Sequence, residues 1–244
     1  METAIADVTW QQDLTTRARR VSTAVVAGLS MGALIGGIGG RIAMFVLRVT
    51  SDASLHGAET DDGFIIGQVS GATLFLVIAT SVLGVFGGIF YLAVRSWVPE
   101  RWRAALFGVF GGIVGGAGVI RPGGIDFTLL DPLPLAITMF ITLPGIYGVV
   151  VSRLIERGLR ADSGPGASQA WVLGLIPLML LGFIGPIGLG VAAVIPALWI
   201  VHRTAPRIAS LWGSPPVVWI GRAGLIAVTA VALASLGRDI TQIV

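Results

Sequence analysis

The sequence predicts an all-α, polytopic bundle of about seven transmembrane helices, and three observations support this fold class. The chain is 55% hydrophobic and only 12% charged, whereas soluble domains are about 25% charged. Its apolar residues fall in runs long enough for helices of about twenty residues to cross the hydrocarbon core. Short clusters of arginine separate these runs, as expected for loops that stay in the cytoplasm. Composition therefore indicates an integral membrane protein.

The residue types that are missing exclude several kinds of chemistry. Without cysteine there is no disulfide, no thiolate metal site and no cysteine nucleophile. All basic residues are arginine, so Schiff-base chemistry on a lysine is excluded. The sequence contains no zinc-binding His-Glu-x-x-His motif and no lysine-containing phosphate-binding loop. We therefore favour a protein without enzyme activity, keep an intramembrane enzyme as a third alternative, and expect no cofactor and no metal. We assign the basic residues to topology rather than to nucleic-acid binding.

The first apolar run, residues 21–47, contains a ladder of glycines that ends at Arg41. The glycines recur every four residues, at Gly28, Gly32, Gly36 and Gly40. Residues four apart lie one above the other on a helix, so the ladder predicts a groove into which a second helix packs closely. Residues 1–20, which precede the span, are interpreted as a cytoplasmic tail.

The later apolar runs predict five or six further spans. Four of them cover about residues 64–94, 104–120, 133–154 and 217–236. The run at 170–201 is too long for one straight span and has glycines and a proline in its middle, which favours a hairpin of two short spans. Two crossings there give seven spans and keep Arg203 and Arg207 in the cytoplasm with the N-terminus. One kinked helix is the alternative and gives six.

Residues 21–157 are interpreted as a four-helix core of two related hairpins. In each, a glycine-laddered helix has an arginine at its outer end, and an acidic loop leads to a second helix that ends in cytoplasmic arginines. The second ladder consists of Gly108, Gly112 and Gly116. Any two hairpins under the positive-inside rule share much of this plan, so independent origin stays open. A cytoplasmic linker (158–169) and a three-span region (170–244) complete the chain.

Arg41 is the candidate centre of a charge cluster, because an arginine at membrane depth is costly unless it faces a partner or water. Its candidate partners are outer-side aspartates: Asp61, Asp62, Asp126 and Asp131. The cluster is either a structural clamp between loop and helix or part of an outer vestibule for an ion or substrate; snorkelling of Arg41 to the interface is a third interpretation. Two adjacent aspartates ahead of a helix more simply cap it than bind a metal.

Three short motifs carry a family resemblance: Gly39-Gly-Arg41, Thr60-Asp-Asp-Gly63 and Arg121-Pro-Gly-Gly-Ile-Asp126-Phe. With these motifs, over about residues 21–157, the chain resembles an uncharacterised group of multi-spanning bacterial membrane proteins. The resemblance implies a location in the bacterial plasma membrane and no particular activity.

Two functions fit this sequence. The first is a non-catalytic packing or assembly protein, whose glycine faces bind its own helices, a second copy or a partner membrane protein. The second is a small transporter or channel with an arginine-containing outer vestibule that favours anions. The lipid bilayer is an expected partner in both cases.

Overall fold

The structure is a computed structural model that describes residues 2–51, 71–124, 127, 131–161, 176 and 211–243. These residues form helices and connecting turns, with no strand among them. Five helices in this part of the chain are long and apolar enough to cross a membrane: Thr15–Thr50, Thr73–Val94, Glu100–Val119, Leu133–Arg160 and Pro215–Ile243. The prediction of an all-helical fold is confirmed for the described residues, and the five long apolar helices fit a membrane protein. The choice between one and two spans at 170–201 lies outside the described residues.

Six α-helices and two other helical segments make up the described fold. The α-helices are α1 (Glu2–Met31), α2 (Gly40–Thr50), α3 (Gly71–Val94), α4 (Arg103–Val119), α5 (Leu133–Ala161) and α6 (Pro215–Ile243). A π-helical segment, Gly32–Gly39, joins α1 to α2, and a 3-10 turn, Glu100–Trp102, precedes α4. Residues 2–50 thus form one continuous helical rod. At about 1.5 Å per residue it is about twice as long as the hydrocarbon core is thick, so the helix extends beyond the membrane.

The glycine ladder of the first span includes a stretch that is not ordinary α-helix. Spacing of four predicts a regular helix, but Gly32–Gly39 has the i to i+5 hydrogen bonding of a π-helix. Such segments are usually single turns, and they occur often at functional sites. The wider turn lies directly before Arg41, so it sets the position of that side chain along the span.

The backbones of α1 and the π-helical segment touch the backbone of α3. The two run antiparallel, with Ala24 opposite Gly88, Gly28 opposite Gly84, and Gly32 opposite Thr80. A Cβ atom added to Gly28 would overlap the carbonyl oxygen of Gly84 and lie 3.0 Å from the Cα atom of Val85. Only glycine allows this approach, which brings Cα–H groups against carbonyl oxygens.

A second glycine contact joins α4 to α5. Phe107, Gly108, Gly112 and Gly116 are the buried residues of α4. A Cβ atom on Gly112 would lie 3.2 Å from the carbonyl oxygen of Ile141 and 3.6 Å from the Cα atom of Gly145. The helix α5 continues through Pro144, whose ring occupies the space beside Gly115. Each of the first four spans is therefore in close contact with an antiparallel partner.

The helix α6 begins beside the end of α3. The indole nitrogen of Trp212, just before α6, donates to the carbonyl oxygen of Ala93 at 3.0 Å. Within α6, the Nε atom of Arg222 donates to the carbonyl oxygen of Trp97 at 2.6 Å. Near its other end, Leu236 is buried in an apolar cluster with residues of α2 and α5. The helix α6 therefore runs from the end of α3 towards the cluster formed with α2 and the start of α5.

The two ends of the bundle differ in chemistry. What we call the arginine-rich end contains residues 16–20 of α1, the end of α3, the start of α4, the end of α5 and the start of α6. Its described arginines are Arg17, Arg19, Arg20, Arg95, Arg101, Arg103, Arg153, Arg157, Arg160 and Arg222. At the opposite end, the hydroxyl of Ser51 donates to the carbonyl oxygen of Asp131 at 3.0 Å and accepts from its N–H at 2.9 Å. The start of α5 therefore lies at this opposite end, and α5 ends at the arginine-rich end. The helix α6 begins at the arginine-rich end as well, beside the end of α3.

Candidate functional site

A glutamate held by two arginines and a tyrosine joins three helices at the arginine-rich end. Arg95 donates from Nε to Oε1 of Glu156 at 2.9 Å and from Nη2 to Oε2 at 2.8 Å. The hydroxyl of Tyr91 donates to Oε1 at 2.8 Å, and Nη1 of Arg103 does so at 3.2 Å. A two-point pairing of guanidinium with carboxylate is among the strongest hydrogen-bonded arrangements in proteins. We call these four residues the Glu156 cluster.

The Glu156 cluster is largely enclosed. The side chain of Glu156 is 13% exposed, and those of Arg103 and Arg95 are 17% and 27% exposed. An enclosed charge is costly unless its hydrogen-bonding groups are satisfied, and here both carboxylate oxygens accept hydrogen bonds. The hydrogen bond to Glu156 raises the pKa of the Arg95 guanidinium, which therefore stays charged. Both observations indicate a lasting structural ion pair.

Local helix geometry explains how the cluster forms. Arg95 directly follows α3, and its N–H donates to the carbonyl oxygen of Tyr91 four residues earlier, so both side chains point to the same neighbour. Arg103, at the start of α4, also donates from Nε to the carbonyl oxygen of Arg95 at 3.0 Å, which closes the turn between α3 and α4. Beneath the cluster, the ring of Tyr91 meets that of Phe107 edge to face at 4.9 Å. Buried aromatic packing thus supports the polar layer.

A cavity of about 460 Å³ lies beside the Glu156 cluster and is bounded by α1, the end of α3, the 3-10 turn and α5. Its lining residues are Thr16, Arg19, Arg20, Arg95, Glu100, Glu156, Leu159 and Arg160. The volume is within the range of small-molecule sites. Four arginines against two glutamates leave a formal charge of +2 on the lining, so the cavity suits an anion. We call it the basic cavity.

The charged side chains at the solvent-exposed part of the basic cavity are less tightly paired than those of the enclosed Glu156 cluster. Arg20 is exposed. Nη2 of Arg160 lies 3.6 Å from Oε1 of Glu100, and the two side chains are 71% and 70% exposed. Exposed pairs of this kind contribute little to stability. The guanidinium of Arg160 is therefore only weakly held by Glu100.

The structure places the two described candidate charge residues, Arg41 and Asp131, away from this cavity. Arg41 is half-buried in α2, and it does not line the basic cavity. Asp61, Asp62 and Asp126 lie outside the described residues. Asp131 is exposed, and its main chain holds Ser51 at the opposite end of the bundle. The clamp between Arg41 and an aspartate stays a prediction.

The glycines of the first ladder lie at different distances from α3. Gly28 and Gly32 face backbone atoms of α3, as described above. A Cβ atom on Gly36 would meet only the side chain of Thr80, at 2.8 Å from its Cβ atom. A Cβ atom on Gly40 would come no closer than 4.0 Å to the nearest described atom, Cδ2 of Leu76. What each glycine contributes to stability stays a prediction.

Sequence reasoning did not single out Glu156. It lies among Arg153, Arg157 and Arg160 on one helix, a pattern typical of solvent-exposed pairs within a helix. Its position in the sequence is the available signal, because the arginine clusters that indicate cytoplasmic loops include Arg95 and Arg103. An acid among these clusters has several possible cationic partners. What the sequence alone did not indicate was that α3 and α5 lie close enough for direct contact.

Other kinds of site find no support in the described part of the chain. Among those residues, no group of three or more histidine, aspartate or glutamate side chains is close enough to hold a metal ion. The basic cavity and the Glu156 cluster are therefore the features on which a functional interpretation depends.

No protein-family model matches this chain, and neither a curated protein nor a solved structure matches it.

Proposed function

We propose that this protein is a non-catalytic, multi-pass protein of the bacterial plasma membrane that binds an anionic partner. Its packed helices form the frame, and the basic cavity is the binding site. The observation that carries the proposal is the composition of that cavity, in which four arginines meet two glutamates at one end of the bundle. Glu156 accepts four hydrogen bonds from three residues, which fits a structural role better than a role as a catalytic base.

The arginine-rich end faces the cytoplasm in this proposal, and the chain crosses the membrane seven times. The concentration of arginines at that end supports the orientation. The helix α5 ends there and α6 begins there, as the contact of Trp212 with Ala93 indicates. A chain that leaves and returns to one side crosses an even number of times. This supports a hairpin rather than a single kinked helix at 170–201.

In this proposal, the glycine contacts hold the transmembrane helices of the chain together. Gly28 packs on Gly84, and Gly108 and Gly112 pack on Gly145, so both ladders are occupied by helices of the same chain. A partner using these faces would have to displace α3 or α5. The ladders therefore support assembly within the chain, and an external partner is better placed at the basic cavity.

A small anion transporter or channel is the second candidate. Arg41 lies half-buried within a candidate span, directly after a π-helical segment, and both features are frequent at functional sites. Anion flux into liposomes containing the purified protein would favour this function, provided that the Arg41→Gln variant loses the flux. The absence of flux in the wild type would leave the binding proposal as the better one.

Native mass spectrometry tests the binding proposal. We expect the wild type to carry bound anions or anionic lipids that a double charge reversal, Arg20→Glu with Arg160→Glu, loses. The matched control reverses Arg153 and Arg157, which are exposed on α5 but do not line the cavity. The proposal is wrong if all three proteins carry the same bound species.

A further inference from the structure

We propose that the basic cavity binds the phosphate group of an anionic lipid. This inference rests on the proposed function and names the partner that the cavity takes. The cationic residues of the lining are all arginines, whose planar guanidinium groups match the oxygens of a phosphate in a two-point arrangement. A lysine would offer a point charge without that directional fit.

The depth of the cavity in the bundle favours a lipid as the source of the phosphate. Arg95 follows the last residue of the span Thr73–Val94, and Glu100 and Arg160 are terminal residues of their own candidate spans. The cavity therefore lies where the hydrocarbon gives way to the headgroups. Basic pockets between transmembrane helices on the cytoplasmic side are a known type of site for lipid headgroups.

Tryptophans near the cavity support the same depth. The rings of Trp97 and Trp212 pack against each other with centroids 4.9 Å apart, and Trp102 is 52% exposed. Tryptophan is enriched at the boundary between membrane and water, where its ring is apolar and its N–H is polar. The arginines of the cavity are thus at the level at which lipid phosphates are found.

The residues of the cavity divide into two groups. Arg95 and Glu156 bind each other and form the enclosed side of the cavity. Arg20 and Arg160, at the solvent-exposed side of the cavity, supply the contacts to the phosphate. Arg160 gives up its weak pairing with Glu100 when it binds the phosphate. Leu159 gives the cavity an apolar surface beside them, which suits the glycerol and acyl part of a lipid.

Titration of the full chain in a neutral detergent tests this proposal with defined probes. The probes are short-chain phosphatidic acid, phosphatidylcholine of the same chain length and inorganic phosphate. We expect phosphatidic acid to raise the melting temperature in a saturable way, and the other two to have little effect at equal concentration. Removing a charge-assisted contact typically weakens binding by about tenfold, so Arg20→Gln and Arg160→Gln should each raise the apparent Kd for phosphatidic acid about tenfold.

The control is Arg157→Gln, which removes the same charge from α5 outside the cavity and should keep the wild-type Kd. The exposed site of Arg20 makes Arg20→Lys a second variant that keeps the fold and the charge; it should weaken binding less than Arg20→Gln. Equal loss in Arg157→Gln would overturn the site. A response to inorganic phosphate alone would overturn the lipid as ligand and leave the proposed anion site standing. No response to any probe, together with identical bound species in the three proteins compared by mass spectrometry, would overturn both.

Discussion

Arg95 and Glu156 form a two-point ion pair between the end of α3 and the end of α5, with N–O distances of 2.9 and 2.8 Å. The pair connects the two glycine-packed helix pairs, which the chain itself links only through the turn between α3 and α4. Glycine contacts hold each pair together. The ion pair and Tyr91 hold one pair against the other, together with the hydrogen bond from the Tyr147 hydroxyl to the carbonyl oxygen of Gly84. This arrangement also fixes the enclosed side of the basic cavity, so stability and binding depend on the same residues.

We expect Glu156→Gln to destabilise the protein by about 3 kcal/mol, because it leaves two largely enclosed guanidinium groups without a counter-charge. For a chain of this size, that loss corresponds to a fall of roughly 6–12 °C in melting temperature. Arg95→Gln should have a similar effect, and the double variant should lose less than the sum of the two. Melting of the purified protein in detergent measures all three. The exposed Arg153→Gln is the control and should change stability by less than about 0.5 kcal/mol; additive losses for Glu156 and Arg95 would show that they do not interact.

A graded series of alanine substitutions should report the spacing between α1 and α3. Gly28→Ala places a methyl group on the carbonyl oxygen of Gly84 and should cost about 1–3 kcal/mol through overpacking. Gly36→Ala meets only the Thr80 side chain and should cost less, and Gly40→Ala, with its nearest described contact at 4.0 Å, should be neutral or slightly stabilising. Melting temperatures in detergent give the order. Equal effects at Gly28 and Gly40 would mean that the close contact with α3 is not formed.

Much of the frame could be predicted from the sequence, because apolar runs, glycine spacing and arginine clusters are local patterns. The structure brings Gly28 to Gly84 and Gly112 to Gly145. All of these except Gly145 belong to small-residue spacings of four that are visible in the sequence. The π-helical segment was not predictable, because spacing of four also fits an α-helix. The pairing of Glu156 with Arg95 across 61 positions was not predictable either, since it depends on how the two hairpins meet.

Chain topology gives a prediction that separates seven spans from six. Because α5 ends and α6 begins at the arginine-rich end, reporter fusions at Ser163 and Ser214 should lie on the same, cytoplasmic side. A fusion at Val244 should lie on the other side. Alkaline phosphatase, active outside, and green fluorescent protein, fluorescent inside, give opposite readings at each point. Fusions at Ser163 and Ser214 on opposite sides would establish an odd number of crossings between them and contradict the seven-span topology.

Arg41 gives the last prediction, because its place within the span Thr15–Thr50 makes an acidic partner energetically valuable. We expect Asp61 or Asp62 to be that partner, and Asp126 next. Changing Arg41 alone leaves the acid unpaired, and changing the acid alone leaves Arg41 unpaired, so the two single losses should add to more than the loss in the double variant. The measurement is a double-mutant cycle of Arg41→Gln with Asp61→Asn, Asp62→Asn and Asp126→Asn, followed by melting in detergent.

Asp131→Asn is the matched control, because Asp131 is exposed and the contacts to Thr50 and Ser51 that the structure shows use its main chain. Coupling above about 0.5 kcal/mol in one of the three cycles, with none at Asp131, would establish the clamp. Additivity in all three would remove it, and unchanged stability with lost anion flux would instead favour the transporter.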